Sequence, residues 1–397
     1  MSNKVDKHGL VPRLRFPEFG EAGEWEADEL GKVAVFVNEK IPVEQVALEN
    51  YVSTENILQD YGGVARASKL PTTGAVTRFR PHDTLVSNIR PYLKKVWVAD
   101  KEGGASNDVI VIRAKQRLLT QYFSFLLKND AFIDYVMTGA KGVKMPRGDV
   151  GSMKEYPAFY PSKPEQQKIA DCLASLDELI TLEAQKLDTL KTHKKGLMQQ
   201  LFPAEGETLP KLRFPEFRDA WEWEEKLLGA VCDMQAGKFV AAAEIFDQKG
   251  NDSYPCFGGN GTRGYTKTYT HSGRYSLIGR QGALCGNVNL VDGLFHATEH
   301  AVVTTPKAGI HTDWLFYALT LLTLNRFATG QAQPGLSVDV LNKVACTVPK
   351  DEQEQQRIAD CLASLDDLIT AQTQKLATLK THKKGLMHQL FPCLVKE

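Results

Sequence analysis

Two stretches of this chain are nearly the same sequence. Residues 169–203, IADCLASLDELITLEAQKLDTLKTHKKGLMQQLFP, return at 358–392 as IADCLASLDDLITAQTQKLATLKTHKKGLMHQLFP, and only six of the 35 positions differ. A shorter pair precedes them: PRLRFPEF at 12–19 and PKLRFPEF at 210–217. Each is followed by Glu-Trp-Glu (24–26, 222–224) and Leu-Gly (30–31, 228–229). The segments between, 32–160 and 230–349, share little sequence, and the second is nine residues shorter. Solenoid repeats run at roughly 20–50 residues, far below this period. The plan is therefore a motif, an insert and a long segment, then the same again. A common frame holding unlike inserts presents two different surfaces.

This plan divides the chain into an N-terminal motif (1–23), a first insert (24–160), a central repeated segment (161–203), a linker with the second motif (204–221), a second insert (222–349) and a C-terminal repeated segment (350–397). At 397 residues there is room for two or three domains, each with its own core.

The repeated segments predict helices. From 165 to 201 there is no Pro, and Leu, Ala, Gln, Lys and Glu, all good helix formers, dominate. Pro164 and Pro203 bracket the run, as at helix ends. Spacings alternating four and three run through Ile169, Leu173, Leu176, Ile180, Glu183, Leu187, Leu190, Lys194, Leu197 and Leu201, a heptad seam with two polar interruptions. The second copy places Ile358, Leu362, Leu365, Ile369, Gln372, Leu376, Leu379, Lys383, Leu386 and Leu390 in the same register. Each helix is about 55 Å long at 1.5 Å per residue. Left alone, it would expose its seam to water, and the other copy is the natural partner, antiparallel about an approximate two-fold axis. The alternative is that each helix packs on its own insert. Glu183 and Gln372, near mid-seam, are candidates to set register. Gly196 and Gly385 weaken the helices locally, and either a close approach by another chain or a fraying last turn would account for them.

Both inserts read as mixed α/β. The first has short β-rich runs at 84–86, 95–98 and 108–112 and a helix at about 119–137; the second repeats the order at 275–278, 286–290, 300–303 and 312–327. A Gly-rich loop follows each helix, at 138–144 and 329–335. The expected fold class is thus α/β (mixed α+β): two globular domains joined by two long helices that form an antiparallel coiled coil, with an internal pseudo-two-fold repeat.

Net charge is zero, with 48 basic and 48 acidic residues, which excludes a chain-wide polycation but not a local basic face. Residues 63–95 carry Arg66, Lys69, Arg78, Arg80, Arg90, Lys94 and Lys95 against one acid, Asp83. Residues 253–291 carry Arg263, Lys267, Arg274 and Arg280 against none. Among them lie Asn88, Tyr92, Asn260, Tyr265, Tyr269, Gln281, Asn287 and Asn289, and the Gly-rich loops add Lys141, Lys144 and Gln333. Arg can bond guanine and Asn or Gln adenine bidentately, while Lys neutralises phosphates. A charged stretch is more often a solvated face, but its presence in both halves favours nucleic acid. The DNA-contact candidates are Arg66, Lys69, Arg78, Arg80, Asn88, Arg90, Lys94, Lys95, Lys141, Lys144, Arg263, Lys267, Arg274, Arg280, Gln281, Asn287 and Gln333.

No catalytic or metal-binding motif stands out. The chain has no GxxxxGK[ST], no HExxH and no CxxC pair among its seven Cys, so neither a disulfide framework nor a structural zinc site is expected, and a reducing cytoplasm fits. No run of 18 apolar residues suggests a membrane span, and the first 20 residues lack the apolar centre of a signal peptide. Asn88-Ile89-Arg90-Pro91-Tyr92 lacks the paired prolines of the amino-methyltransferase motif.

The run Glu165-Gln166-Gln167-Lys168-Ile169-Ala170-Asp171, its copy Glu354-Gln355-Gln356-Arg357-Ile358-Ala359-Asp360, the Gly-rich loops and Leu277-Ile278-Gly279-Arg280-Gln281-Gly282-Ala283 resemble the specificity (HsdS-type) subunit of type I restriction-modification systems over essentially the whole chain. The resemblance implies two target-recognition domains, each reading half of a split, asymmetric site in double-stranded DNA. It implies that paired helices set the gap and dock two modification subunits, with restriction subunits joining. It places catalysis, S-adenosylmethionine, ATP and Mg on those partners and none on this chain. A protein-binding coiled-coil scaffold and a fragment of a fused restriction-methylase are the other readings.

A ruler made of paired heptads has a measurable length. One heptad inserted after Leu187 and another after Leu376 keep both seams in phase and add about 10 Å. At about 3.4 Å per base-pair step, the non-specific gap should lengthen by about three base pairs with both half-sites unchanged. Sequencing the motif methylated by the extended complex checks this; an unchanged gap in an active complex would refute it.

Overall fold

A computed structural model describes residues 11–330 and 334–392. The contacts fall into two units: residues up to Ala184 together with those from Lys375 onward, and Gln185–Gln374. Two 39-residue helices, Lys163–Leu201 and Glu352–Leu390, each contribute one half to each unit.

Within the first unit, Lys383 bonds Asp177 and Lys375 bonds Glu183, so the helix halves run antiparallel. In the second unit Lys194 donates to both carboxylate oxygens of Asp366 at 2.5 and 2.7 Å. The polar interruptions at Lys194 and Lys383 therefore occupy equivalent places, each held by an aspartate of the other helix. Each ammonium also lies over an aromatic ring, Tyr317 at 5.1 Å and Phe125 at 5.4 Å. Glu183 and Gln372 are buried, as their seam positions predict. Every apolar seam residue is buried or half-buried. The ends of the seam enter the domain cores: Ile169 and Leu173 join Met387, Leu390 and Phe391 around Trp25 and Tyr122, and Ile358 and Leu362 join Leu201 and Phe202 around Trp223 and Trp314. Both helices run unbroken past Gly196 and Gly385, where an added Cβ would meet nothing within 4 Å.

The two globular parts repeat the order of their main sheet and differ in the second, where the fourth strand adds on opposite edges. In the first unit a sheet is ordered Ala34–Phe36, Val109–Ala114, Thr84–Ser87, Val96–Val98, all antiparallel. Its counterpart in the second is Cys232–Ala236, Ala301–Pro306, Tyr275–Gly279, Val288–Val291. Each unit has a further four-stranded sheet containing one parallel pair, Tyr51–Val52 with Gly103–Ala105 and Tyr254–Gly258 with Leu294–Ala297. A two-stranded ladder leads into each long helix, Glu26–Glu29 with Pro157–Tyr160 and Glu224–Leu227 with Ala345–Val348. The helix expected at 119–137 is two helices, Thr120–Leu127 and Asp130–Thr138. Asn129 separates them by capping the second, accepting a bond from the Ala131 amide. The helix expected at 312–327 ends at Leu321, and after Thr323 enters the left-handed region (φ 44°) a 3-10 turn covers Leu324–Phe327.

The first residues of each long helix fasten the elements of their own unit. Arg15 of the N-terminal motif grips Glu165 bidentately, both bonds 2.7 Å, and Arg213 grips Glu354 identically. Both carboxylates are 1% exposed. The neighbouring amides do the second half of the work. Gln166 accepts the Leu119 amide and donates to the Arg117 and Pro161 carbonyls. Gln355 accepts the His311 amide and donates to the Gly309 and Pro349 carbonyls. Removing one partner of a buried pair strands the other charge and costs about 3–5 kcal/mol. Arg213→Ala should destabilise the second unit by that amount, whereas Arg213→Met with Glu354→Leu should recover most of it. Denaturant unfolding of the single and double variants measures both, and equal losses in the two would refute the stranded-charge account.

Candidate nucleic-acid interface

In both units the loop after the third strand of the main sheet is sewn to the Gly-rich loop by the same bonds. In the first, Arg90 N donates to Pro146 O at 2.8 Å and Gly148 N to Asn88 O at 3.0 Å, while Lys141 and Arg147 exchange reciprocal backbone bonds of 2.9 Å. In the second, Gly282 N donates to Pro334 O at 3.0 Å and Leu336 N to Arg280 O at 2.9 Å, while Thr329 and Gly335 exchange bonds of 2.9 Å. Backbone therefore fixes both ridges alike. Their side chains differ: Asn88, Ile89 and Arg90 occupy the places of Arg280, Gln281 and Gly282.

One of those places requires a left-handed backbone. Gly282 has φ +86°, which suits glycine, but Arg90 holds φ +51° in the equivalent position. For a side chain other than Gly, Asn or Asp this costs about 1 kcal/mol or more. Arg90 is exposed and has no carboxylate partner among the described residues. Nothing in the fold repays the strain, which marks the guanidinium as a group presented outward.

The candidate cations separate by what holds them. Arg66, Lys69, Arg90, Lys144, Arg263 and Lys267 are exposed, and Arg280 is half-buried; none has a carboxylate partner among the described residues. The Arg280 Nε is buried without a hydrogen bond. The others are engaged. Arg78 meets Glu39 at 3.3 Å and Glu102 at 3.2 Å, and Arg80 meets Glu39 at 3.1 Å. Lys94 lies 2.6 Å from Asp130, which also receives Lys384 at 3.1 Å. Burial alone would raise the Asp130 carboxyl, but the bonds from Lys94 and Lys384 outweigh it and hold it below the usual range. Lys95 donates to the Thr54 carbonyl at 2.6 Å. Lys141 lies 3.3 Å from Asp149. Asp313 clamps Arg274 with bonds of 2.6 and 3.1 Å, which raises the guanidinium pKa. Exposed pairs such as Arg78–Glu39 are worth at most about 1 kcal/mol and can be exchanged for a phosphate.

Among the amides, Asn88 is buried with its Oδ1 unpartnered, so its side chain does not face solvent. Asn287 is exposed and donates to Asn260 Oδ1 at 2.8 Å. Gln281 is exposed on the second ridge, and Gln333 lies outside the described residues. The single acid of the first basic stretch is consumed internally. Asp83 is buried, with Arg113 bound to it bidentately at 2.6 and 2.7 Å, so it neutralises none of the cations of residues 63–95. Sequence reasoning missed the sewing bonds; Tyr92, named from the sequence, is 48% exposed two residues after Arg90. The Gly-rich loops following both helices were the available signal.

Among the described residues no cluster of His, Cys, Asp or Glu could hold a metal, and no helix is long and apolar enough to cross a membrane.

The family profile described as the type I restriction modification DNA specificity domain matches twice, at residues 24–192 and 221–381. The specificity subunit of the Escherichia coli type I restriction enzyme EcoprrI is 46% identical over 157 residues, 39% of each chain. That of Methanocaldococcus jannaschii MjaVIII is 23% identical over an alignment covering 98% of this chain and 95% of that one. Among solved structures, the type I S subunit from M. genitalium superposes with a TM-score of 0.66 at 17% identity, covering 96% of this chain and 99% of that one. A chain from a study of type I restriction-modification complex assembly gives 0.57 at 19%, covering 94% and 98%. The doubled frame, the antiparallel helix halves and the paired domain matches agree: the chain belongs to the type I restriction-modification DNA specificity family.

Proposed function

We propose that this chain is the DNA-reading, non-catalytic subunit of a type I restriction-modification complex, in which each ridge reads one half of a bipartite, asymmetric site. The observation that carries this is the pair of ridges: identical backbone bonding under unlike side chains. A homodimer repeats one surface and reads a palindrome; here each half offers its own. Methyl transfer from S-adenosylmethionine and Mg- and ATP-dependent translocation and cleavage belong to modification and restriction subunits, and the complex works in the cytoplasm. Exposed leucines on the long helices, Leu182 and the repeat-matched Leu179 and Leu368, support docking of two modification subunits there.

Exchanging residues 222–349 for another member's insert should change one half of the methylated motif only; a change in both halves would refute independent reading. In binding assays across salt, Lys69→Ala or Lys144→Ala should weaken all sequences alike and reduce the salt slope by about 1 per lost phosphate contact. Arg280→Ala should cost about 1–3 kcal/mol at one base position. DNA retention that does not fall with salt would instead favour a protein-only scaffold.

Arg90→Gly separates fold from reading. It relieves the left-handed strain, so the unfolding midpoint should hold or rise while affinity for the specific duplex falls. A lower midpoint with unchanged affinity would make Arg90 structural.

A further inference from the structure

The Gly-rich loop of the first unit ends in an apolar point. Val143 is 99% exposed and Met145 56% exposed. They sit in a seven-residue loop closed by the single reciprocal pair of Lys141–Arg147 backbone bonds and anchored where Arg90 N donates to Pro146 O. Gly142 makes the turn possible, at φ +97°. Lys144, exposed and without a carboxylate partner among the described residues, lies between Val143 and Met145, while Lys141 and Arg147 at the loop ends pair with Asp149 at 3.3 Å and Asp108 at 2.7 Å. A fully exposed valine at a rigidly anchored tip serves no packing purpose in this chain, and the surrounding charge excludes a purely apolar partner.

We propose that this loop enters the DNA major groove and that Val143 makes an apolar contact with the 5-methyl group of a thymine, which makes it a specificity-determining residue of the first recognition domain. The inference rests on the DNA-reading function proposed above and adds the residue and the base feature it reads. The major groove, about 12 Å wide, leaves room for such a loop to reach base edges, whereas the minor groove is only about 6 Å wide. The methyl group is found only on thymine and only on the major-groove edge, and small apolar side chains are its natural contacts. Lysines on either side of the tip would meet the phosphates along the groove walls. At the corresponding place in the sequence the second half has Gln331, which lies outside the described residues.

The test uses the full chain assembled with its modification subunits, on the duplex it selects from a random pool. Each thymine is replaced singly by deoxyuridine, which removes only the methyl group. Wild type should lose roughly fourfold in affinity at one position, the effect of about one buried methyl group. Val143→Ala should bind the unmodified site at least that much more weakly and no longer distinguish thymine from uracil there. Its salt slope and unfolding midpoint should match wild type, because Val143 touches neither a core nor, in this proposal, a phosphate. Wild-type affinity in Val143→Ala, a uracil penalty that persists in the variant, or no sensitive thymine would overturn the contact while leaving salt-dependent reading intact. Absence of salt-dependent binding by wild type would overturn the function on which it rests.

Discussion

Five bonds common to both halves, made by two adjacent side chains, hold each half of this protein to its helix. A buried Glu (Glu165, Glu354) clamps the arginine of the preceding motif, and the Gln beside it (Gln166, Gln355) ties down the start of the short helix in the insert. A buried carboxylate is tolerable only when fully paired, and a buried amide only when its donors and acceptor are used. The residues that satisfy them come from three separated stretches of chain: the motif, the insert and the strand before the helix. This explains why the RFPEF motif and the EQQ run recur together while the inserts diverge. The insert need supply only one carbonyl (Arg117 or Gly309) and one amide (Leu119 or His311) at the right place, and backbone can do so from many sequences.

The seam follows the same logic with charge instead of burial. Two leucine heptads alone would pair in several registers. Lys194 and Lys383 break the apolar stripe, and each finds its aspartate, Asp366 or Asp177, only in one alignment. Burial and the hydrogen bond to Asp366 push the Tyr317 hydroxyl up, so this network also reaches into the second insert. A one-heptad slip would set Lys194 against Ala359 or Thr373 and Lys383 against Ala170 or Ala184, with no carboxylate at the place Asp366 or Asp177 had filled, and single polar residues on an apolar seam are an established way to specify register.

Much of this was legible from local pattern. The repeat, the heptads, the strand runs and the Gly-rich loops are all short-range signals, and each corresponds to an element. Two kinds of feature escaped. One is a local competition that periodicity hides: Lys128-Asn129-Asp130 looks helical in a window, yet the Asn129 side chain caps a new helix instead of continuing the old one. The other is long-range pairing. The stretch 63–95 looks nearly free of acid, but Glu39, Glu102 and Asp130 reach Arg78, Arg80 and Lys94 from outside it. Asp313 does the same to Arg274. Counting charges along the chain cannot distinguish a cation held by a distant carboxylate from one left free, so the candidate interface could be located by sequence but not resolved residue by residue.

The ridges show how such a frame can change what it reads without losing its fold. Their shape is set by main-chain bonds, Arg90 to Pro146 and Gly148 to Asn88, Gly282 to Pro334 and Leu336 to Arg280, and main-chain bonds make few demands on the side chains above them. Only two requirements are visible: a residue able to take positive φ at 90 and 282, and a carbonyl from Pro146 or Pro334 to receive its amide. Glycine meets the first without strain. Arginine meets it at a cost of about 1 kcal/mol, small beside the 1–3 kcal/mol that one bidentate base contact supplies in discrimination. A strained residue at such a place is favoured when the side chain contributes more to binding than the backbone loses in folding. The same comparison applies to Val143, whose exposure costs the free protein little and whose burial against DNA would return it.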